Sequence, residues 1–137
     1  MEVTVAKTAG FCFGVKRAVE QVYEQAEHGG LPVYTYGPII HNDQVVQDLE
    51  ERGVTVLDGK KALLQADKGT VILRSHGVGR AVEAEIEELG FQIVDATCPF
   101  VKKIHRIVER ESRAGAYIII VGNDNHPEVE GIKGWCC

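Results

Sequence analysis

Twice between Thr70 and Val108 the chain passes from a short apolar run, through a polar loop, into a segment whose apolar residues recur with helical spacing. Thr70-Val71-Ile72-Leu73-Arg74 runs out through Ser75-His76-Gly77-Val78-Gly79 to Ala81, Val82, Ile86 and Leu89. Phe91 to Asp95 then runs through Ala96-Thr97-Cys98-Pro99 to Phe100, Val101, Ile104, Ile107 and Val108. Strands that alternate with helices at this interval form βαβ units, because a helical crossover carries the chain back to start a parallel neighbour. The expected fold class is therefore α/β with a mainly parallel sheet.

The same grammar extends in both directions. Glu2 to Lys7 alternates as a strand does, and Phe11-Cys12-Phe13-Gly14 leads into a helix marked by Val15, Ala18, Val19, Val22, Tyr23 and Ala26, stopping at Gly29-Gly30. Val33 to Tyr36 is a short strand, Gly37-Pro38 a break, and Ile39-Ile40-His41-Asn42 the approach to a helix carrying Val45, Val46 and Leu49, capped by Asn42 or Asp43. Val54 to Leu57 is a further strand, followed by a short polar helix near Lys60 to Gln65. The helix after Cys98 breaks near Gly115, and Tyr117 to Val121 is the most apolar strand of the chain, emptying into Gly122 to Glu128.

Composition narrows the partners. A net charge of −5 over 137 residues argues against a nucleic-acid scaffold, which needs a basic face. The pairs Lys16-Arg17, Lys60-Lys61 and Lys102-Lys103 read as solvated helix faces. No apolar run is long enough to span a bilayer, and Met1 to Lys7 lacks the pattern of a secretion signal, so a cytoplasmic protein with no membrane partner is expected. In a reducing compartment, four cysteines without a C-x-x-C pair favour metal binding or catalysis over disulfides.

In parallel sheets ligands gather outside the carboxyl ends of the strands, where loops enter helix N-termini. Cys12, His41, His76, Cys98, His126 and Glu128 all fall on such loops. A thiol at a helix N-terminus tends toward the thiolate, the form that binds metal or attacks substrate, whereas a small residue packed under the turn is the plainer role. His76-Gly77-Val78-Gly79 is a near miss for a dinucleotide fingerprint, with Asp95 downstream but Val82 where the third glycine belongs. A simpler diphosphate cradle asks less: Gly77 and Gly79 would allow close backbone approach and His76 would donate a hydrogen bond. Two distant cysteines fit an iron–sulfur cluster first and a Cys2His2 zinc site second. Glu128 is either a proton donor or a first-turn carboxylate that complements the helix dipole. His28, near a helix end, and His105, inside a helix, have routine structural readings.

Five runs in this order, Gly10-Phe11-Cys12-Phe13-Gly14-Val15-Lys16-Arg17-Ala18, Ile40-His41-Asn42, Ser75-His76-Gly77-Val78, Asp95-Ala96-Thr97-Cys98-Pro99 and His126-Pro127-Glu128-Val129-Glu130-Gly131, together resemble the 4-hydroxy-3-methylbut-2-enyl diphosphate reductase family. The resemblance implies a 4Fe-4S cluster held by three cysteines, with Cys12 and Cys98 matching the first two. It implies that His41, His76 and His126 hold the diphosphate of an allylic substrate and that Glu128 supplies protons. The reaction implied is reductive dehydroxylation to isopentenyl and dimethylallyl diphosphates on the methylerythritol phosphate route, with a ferredoxin or flavodoxin as electron donor.

Members of that family are longer, so the resemblance also implies that this chain is an N-terminal part and that the third cysteine lies beyond residue 137; Cys136 and Cys137 do not match it. In those terms 1–13 is an opening strand and the first ligand loop, 14–97 the first α/β lobe and 98–137 an incomplete second lobe of a three-lobed fold, with an apolar face toward the remainder. The contrasting expectation is a truncated module, inactive as an enzyme, that binds only diphosphate or zinc.

Overall fold

The computed structural model describes residues 1–28, 30 and 32–137. Four short strands, β1 (Val33–Tyr36), β2 (Thr55–Leu57), β3 (Thr70–Leu73) and β4 (Gln92–Asp95), form one sheet in the order β2-β1-β3-β4. Every pairing is parallel, with Tyr36 level with Leu57 on one side and with Leu73 on the other. The helices are α1 (Phe13–His28), α2 (Asp43–Glu51), α3 (Gly59–Gln65), α4 (Arg80–Glu88), α5 (Pro99–Arg113) and α6 (Pro127–Lys133).

Side chains alternate across the sheet and divide the core into two layers. Ile72 packs with Val33, with Ala18, Val19 and Val22 of α1 and with Leu49 of α2. Its neighbours Val71 and Leu73 point the other way, toward Leu63 of α3 and Ile86 of α4. All four residues of β3 are buried, as a central strand covered on both faces must be. Each of these aliphatic side chains contributes roughly 1.5–3 kcal/mol by leaving water.

Topology then fixes where a ligand can sit. β1 and β3 are neighbours, but the chain leaves β1 for β2 and leaves β3 for β4, in opposite directions. The two outgoing loops diverge at the carboxyl edge, and a crevice opens between them. His41 lies on the first loop and His76 on the second.

Local signals act largely as expected. The Asn42 side chain accepts a hydrogen bond from Val45 N at 3.1 Å and starts α2, while Pro99 and Pro127 open α5 and α6. The α1 helix ends at His28, whose Nδ1 lies 3.2 Å from Glu24 O; Gly29 of the expected stop lies outside the described residues.

Two expected strands are absent. Glu2 to Lys7 and Tyr117 to Val121 have extended character in sequence but neither pairs with a strand among the described residues. Tyr117 and Val121 are 92% and 95% exposed. Alternation measures readiness to be buried on one side; a strand also needs a neighbour for its backbone hydrogen bonds.

Candidate functional site

Cys12 stands at the entrance to α1, its carbonyl accepting from Lys16 N at 2.9 Å, and Cys98 is the N-cap of α5, accepting from Lys102 N at 2.9 Å. Eighty-six residues separate them in sequence, yet both line one cavity of about 160 Å³ with Val15, Ser75, His76, Val101 and Glu128. All four cysteines are free thiols.

The Cys98 loop is tied down on three sides. Cys98 N donates to Ser75 O at 2.9 Å, Thr97 N donates to the Asp95 carboxylate at 2.9 Å, and Arg17 of α1 donates to Thr97 O at 3.2 Å and to Asp95 O at 3.4 Å. Lys102 closes the arrangement by pairing with Asp95. Burial raises the Asp95 carboxyl, but the bonds from Lys102 and Thr97 outweigh it and hold the group below the usual carboxylate range. Asp95 is thus spent on the loop, not offered to a ribose. Arg17 and Lys102, read from sequence as solvated, are both partly buried. The available signal was that Arg17 stands three residues after Gly14 and beside Ala18, on the inward face of α1.

A second cavity, of about 250 Å³, is lined by Phe11, Val15, Ile40, His41, Asn42, Ser75 and His76. Three imidazoles meet nearby, with ring centroids 4.6 Å apart for His41 and His76, 5.7 Å for His76 and His126, and 6.1 Å for His41 and His126. His76 is pushed down to about 4, first by burial and then by the charges of His41, Arg74 and His126. Its Nδ1 is buried without a hydrogen-bond partner among the described residues. His126 accepts from Glu128 N through Nδ1 at 3.2 Å, so in that arrangement its proton sits on Nε2, free to donate. Among the described residues lining the two cavities Glu128 is the one carboxylate, beside several imidazoles, which suits a polyanion.

The glycines of the 76–79 loop play another part than the one expected. A Cβ on Gly77, whose φ is +72°, would come within 2.6 Å of the His105 ring and 2.9 Å of Thr97. A Cβ on Gly79 would lie 3.0 Å from Gly134 Cα, and one on Gly134 only 2.5 Å from Gly79 Cα. Close packing against α5 and α6 uses both glycines, a structural role that the sequence reading of this loop did not include. The contact is completed by Trp135, which donates through Nε1 to Val78 O at 2.9 Å and stacks on His105 at 5.3 Å. His105 is 4% exposed, and burial lowers its basicity. Helix α6 is thereby clamped to the His76 loop, and His126 and Glu128 are delivered to the crevice.

Among the described residues no group of three or more His, Cys, Asp or Glu side chains is arranged to hold a metal ion. A Cys2His2 zinc site is accordingly not formed by them, since zinc needs a full tetrahedron of donors. Two thiols facing one small cavity do fit part of a cluster's ligand set. No helix among the described residues is long and apolar enough to cross a membrane.

Residues 3–137 match the family model described as LytB protein. The chain belongs to the LytB family. Among its LytB relatives, the 4-hydroxy-3-methylbut-2-enyl diphosphate reductase of Caldanaerobacter subterraneus subsp. tengcongensis is 50% identical over 139 residues, covering 99% of this chain and 48% of that protein. The protein of the same name from Geotalea uraniireducens is 55% identical over 137 residues, covering 98% and 46%. Two solved structures share the fold. A (E)-4-hydroxy-3-methyl-but-2-enyl diphosphate reductase, described as the terminal enzyme of the non-mevalonate pathway, superposes with TM-score 0.82 at 43% identity over 97% of this chain and 46% of that one. The E-1-hydroxy-2-methyl-but-2-enyl-4-diphosphate reductase of Plasmodium falciparum does so with TM-score 0.87 at 32% identity, over 94% and 40%. The LytB chain here spans about half the length of the curated relatives it matches.

Proposed function

We propose that the complete protein reduces 4-hydroxy-3-methylbut-2-enyl diphosphate to isopentenyl and dimethylallyl diphosphates, and that residues 1–137 provide two cluster thiolates, the diphosphate-binding imidazoles and the proton donor. The supporting observation is the shared cavity of Cys12, Cys98, His76 and Glu128, assembled from four separate segments.

Cys12 and Cys98 would hold a 4Fe-4S cluster together with a third cysteine from beyond residue 137. When bound, the cluster would supply electrons and a Lewis-acidic iron for the allylic alcohol. His41, His76 and His126 bind and orient the diphosphate, whose negative charge favours the protonated form of the buried His76. Glu128, in the first turn of α6 and lining the cavity, passes one proton to the departing hydroxyl, which leaves as water; two electrons from the reduced carrier and a second proton, taken up at either end of the allylic unit, complete the two products. The exposed rings of Phe11, Phe13 and Phe100 flank the thiols, and the remaining chain, as further lobes of a three-lobed fold, covers them and excludes water. A small electron carrier of the ferredoxin or flavodoxin type docks outside this rim.

Turnover by the full-length protein with a dithionite-reduced carrier tests the reading. The expected result is formation of both diphosphate products, reduced about a hundredfold or more by Glu128→Gln. A cluster-loaded wild-type protein that leaves the substrate unchanged would refute it.

A further inference from the structure

Gly14 is the second residue of α1 and is buried. Glycine inside a helix is disfavoured relative to alanine, and Gly14 lacks the positive φ that would explain it. What it has is a neighbour. A Cβ built on Gly14 would stand 2.5 Å from Cys98 Sγ, 3.1 Å from Cys98 Cβ and 3.8 Å from Cys98 Cα.

The Cys98 backbone has no room to retreat. Ser75 O holds its N–H, Arg17 donates to the carbonyl of Thr97, and the Asp95 carboxylate accepts from the Thr97 N–H. Any side chain at position 14 must therefore turn the thiol, because the loop that carries it is fixed. The sulfur would swing out of the seat that places it on the same cavity wall as Cys12.

We infer that Gly14 is a positioning residue whose missing side chain seats the Cys98 sulfur against the first turn of α1, beside Cys12. This rests on the reading of Cys98 as a cluster ligand. It adds that α1, not only the Cys98 loop, sets where the second thiolate points, and that the first turn of α1 positions both thiols: Cys12 through the backbone, Cys98 through the space left at Gly14.

The full-length protein is compared as wild type, Gly14→Ala, Cys98→Gly and the double variant. Cys98→Gly removes both close atoms, leaving only Cα at 3.8 Å. Thermal melts of cluster-free protein should show Gly14→Ala lowering Tm by about 2–4 °C when Cys98 is present and raising it when Cys98 is replaced, where only helix propensity acts. In the same cluster-free samples, alkylation of Cys98 relative to Cys12, followed by peptide mass spectrometry, should change by about threefold or more in Gly14→Ala. If Gly14→Ala does not fold, the double variant restores folding. A rise in Tm in both backgrounds, or a double variant that also fails to fold, overturns the assignment. Iron and sulfide content of the wild type keeps the two readings apart: a protein that binds neither removes the cluster and leaves the thiol seat standing, whereas equal Tm shifts in the two backgrounds remove the seat and leave the cluster.

Discussion

The imidazoles of His41 and His76 lie 4.6 Å apart, centroid to centroid, although they come from loops that leave the sheet in opposite directions. Loss of water disfavours the charged form of His76 most, and the neighbouring His41 ring adds to this.

Proton uptake on anion binding follows from that pair. His76 in the free protein titrates at about 4, well below its ordinary 6.5, so it is neutral over most of the range between. A diphosphate in the crevice favours the charged form and raises it again. Calorimetric titration with pyrophosphate near pH 5.5, in buffers of different ionisation heat, is expected to show protons entering the protein. His76→Ala should weaken binding about tenfold and abolish most of the buffer dependence, the loss expected of a charge-assisted hydrogen bond. Buffer-independent heats would refute this, and equal affinity in His76→Ala would remove the residue from the site.

Acid should destabilise the fold through the same ring and through His105. Both have folded-state values depressed by burial. Stability conferred by the neutral rings is present above the unfolded value and is lost as pH falls: from about 6.5 down toward about 4 for His76. Urea midpoints at pH 7.5, 6 and 5 should decline steadily. In His105→Phe, which keeps a ring against Trp135 but cannot take a proton, the decline should be shallower. An identical pH slope in that variant would contradict the assignment of the buried His105.

The seat of α6 makes a third prediction. Gly134→Ala sets a methyl group 2.5 Å from the Gly79 backbone, where no side chain can give way. Forced separation should destabilise by about 1–3 kcal/mol, as overpacking does, and weaken pyrophosphate binding by moving His126. Trp135→Phe, which keeps the stack but loses the bond to Val78 O, should be milder, about 1 kcal/mol. Urea unfolding measures both, and a Gly134→Ala protein as stable as wild type would show that the helix does not rest on this loop.

Much of this arrangement was legible in the chain. The alternation from Val33 to Asp95 is enough to specify the four parallel strands, and the rule that ligands meet strand ends singles out Cys12, His41, His76, Cys98, His126 and Glu128 as candidates. The structure adds that Cys12, Cys98, His76 and Glu128 line one cavity and that the imidazoles cluster. Contacts between remote segments were less visible. Arg17 looks like a solvated cation until Thr97 O is seen beside it, and nothing in the sequence announces that Gly79 lies against Gly134. Likewise Tyr117 to Val121 has the pattern of a strand, but pairing is a relation between two segments, and none of the described ones lies alongside it.

The convergence of Cys12 and Cys98 is most directly tested by iron and sulfide analysis of the full-length protein purified without oxygen. The account predicts about four irons and four sulfides per chain in the wild type, and loss of most of both in Cys12→Ser and in Cys98→Ser alike. A colourless wild-type protein, or full iron retention in either variant, would contradict it.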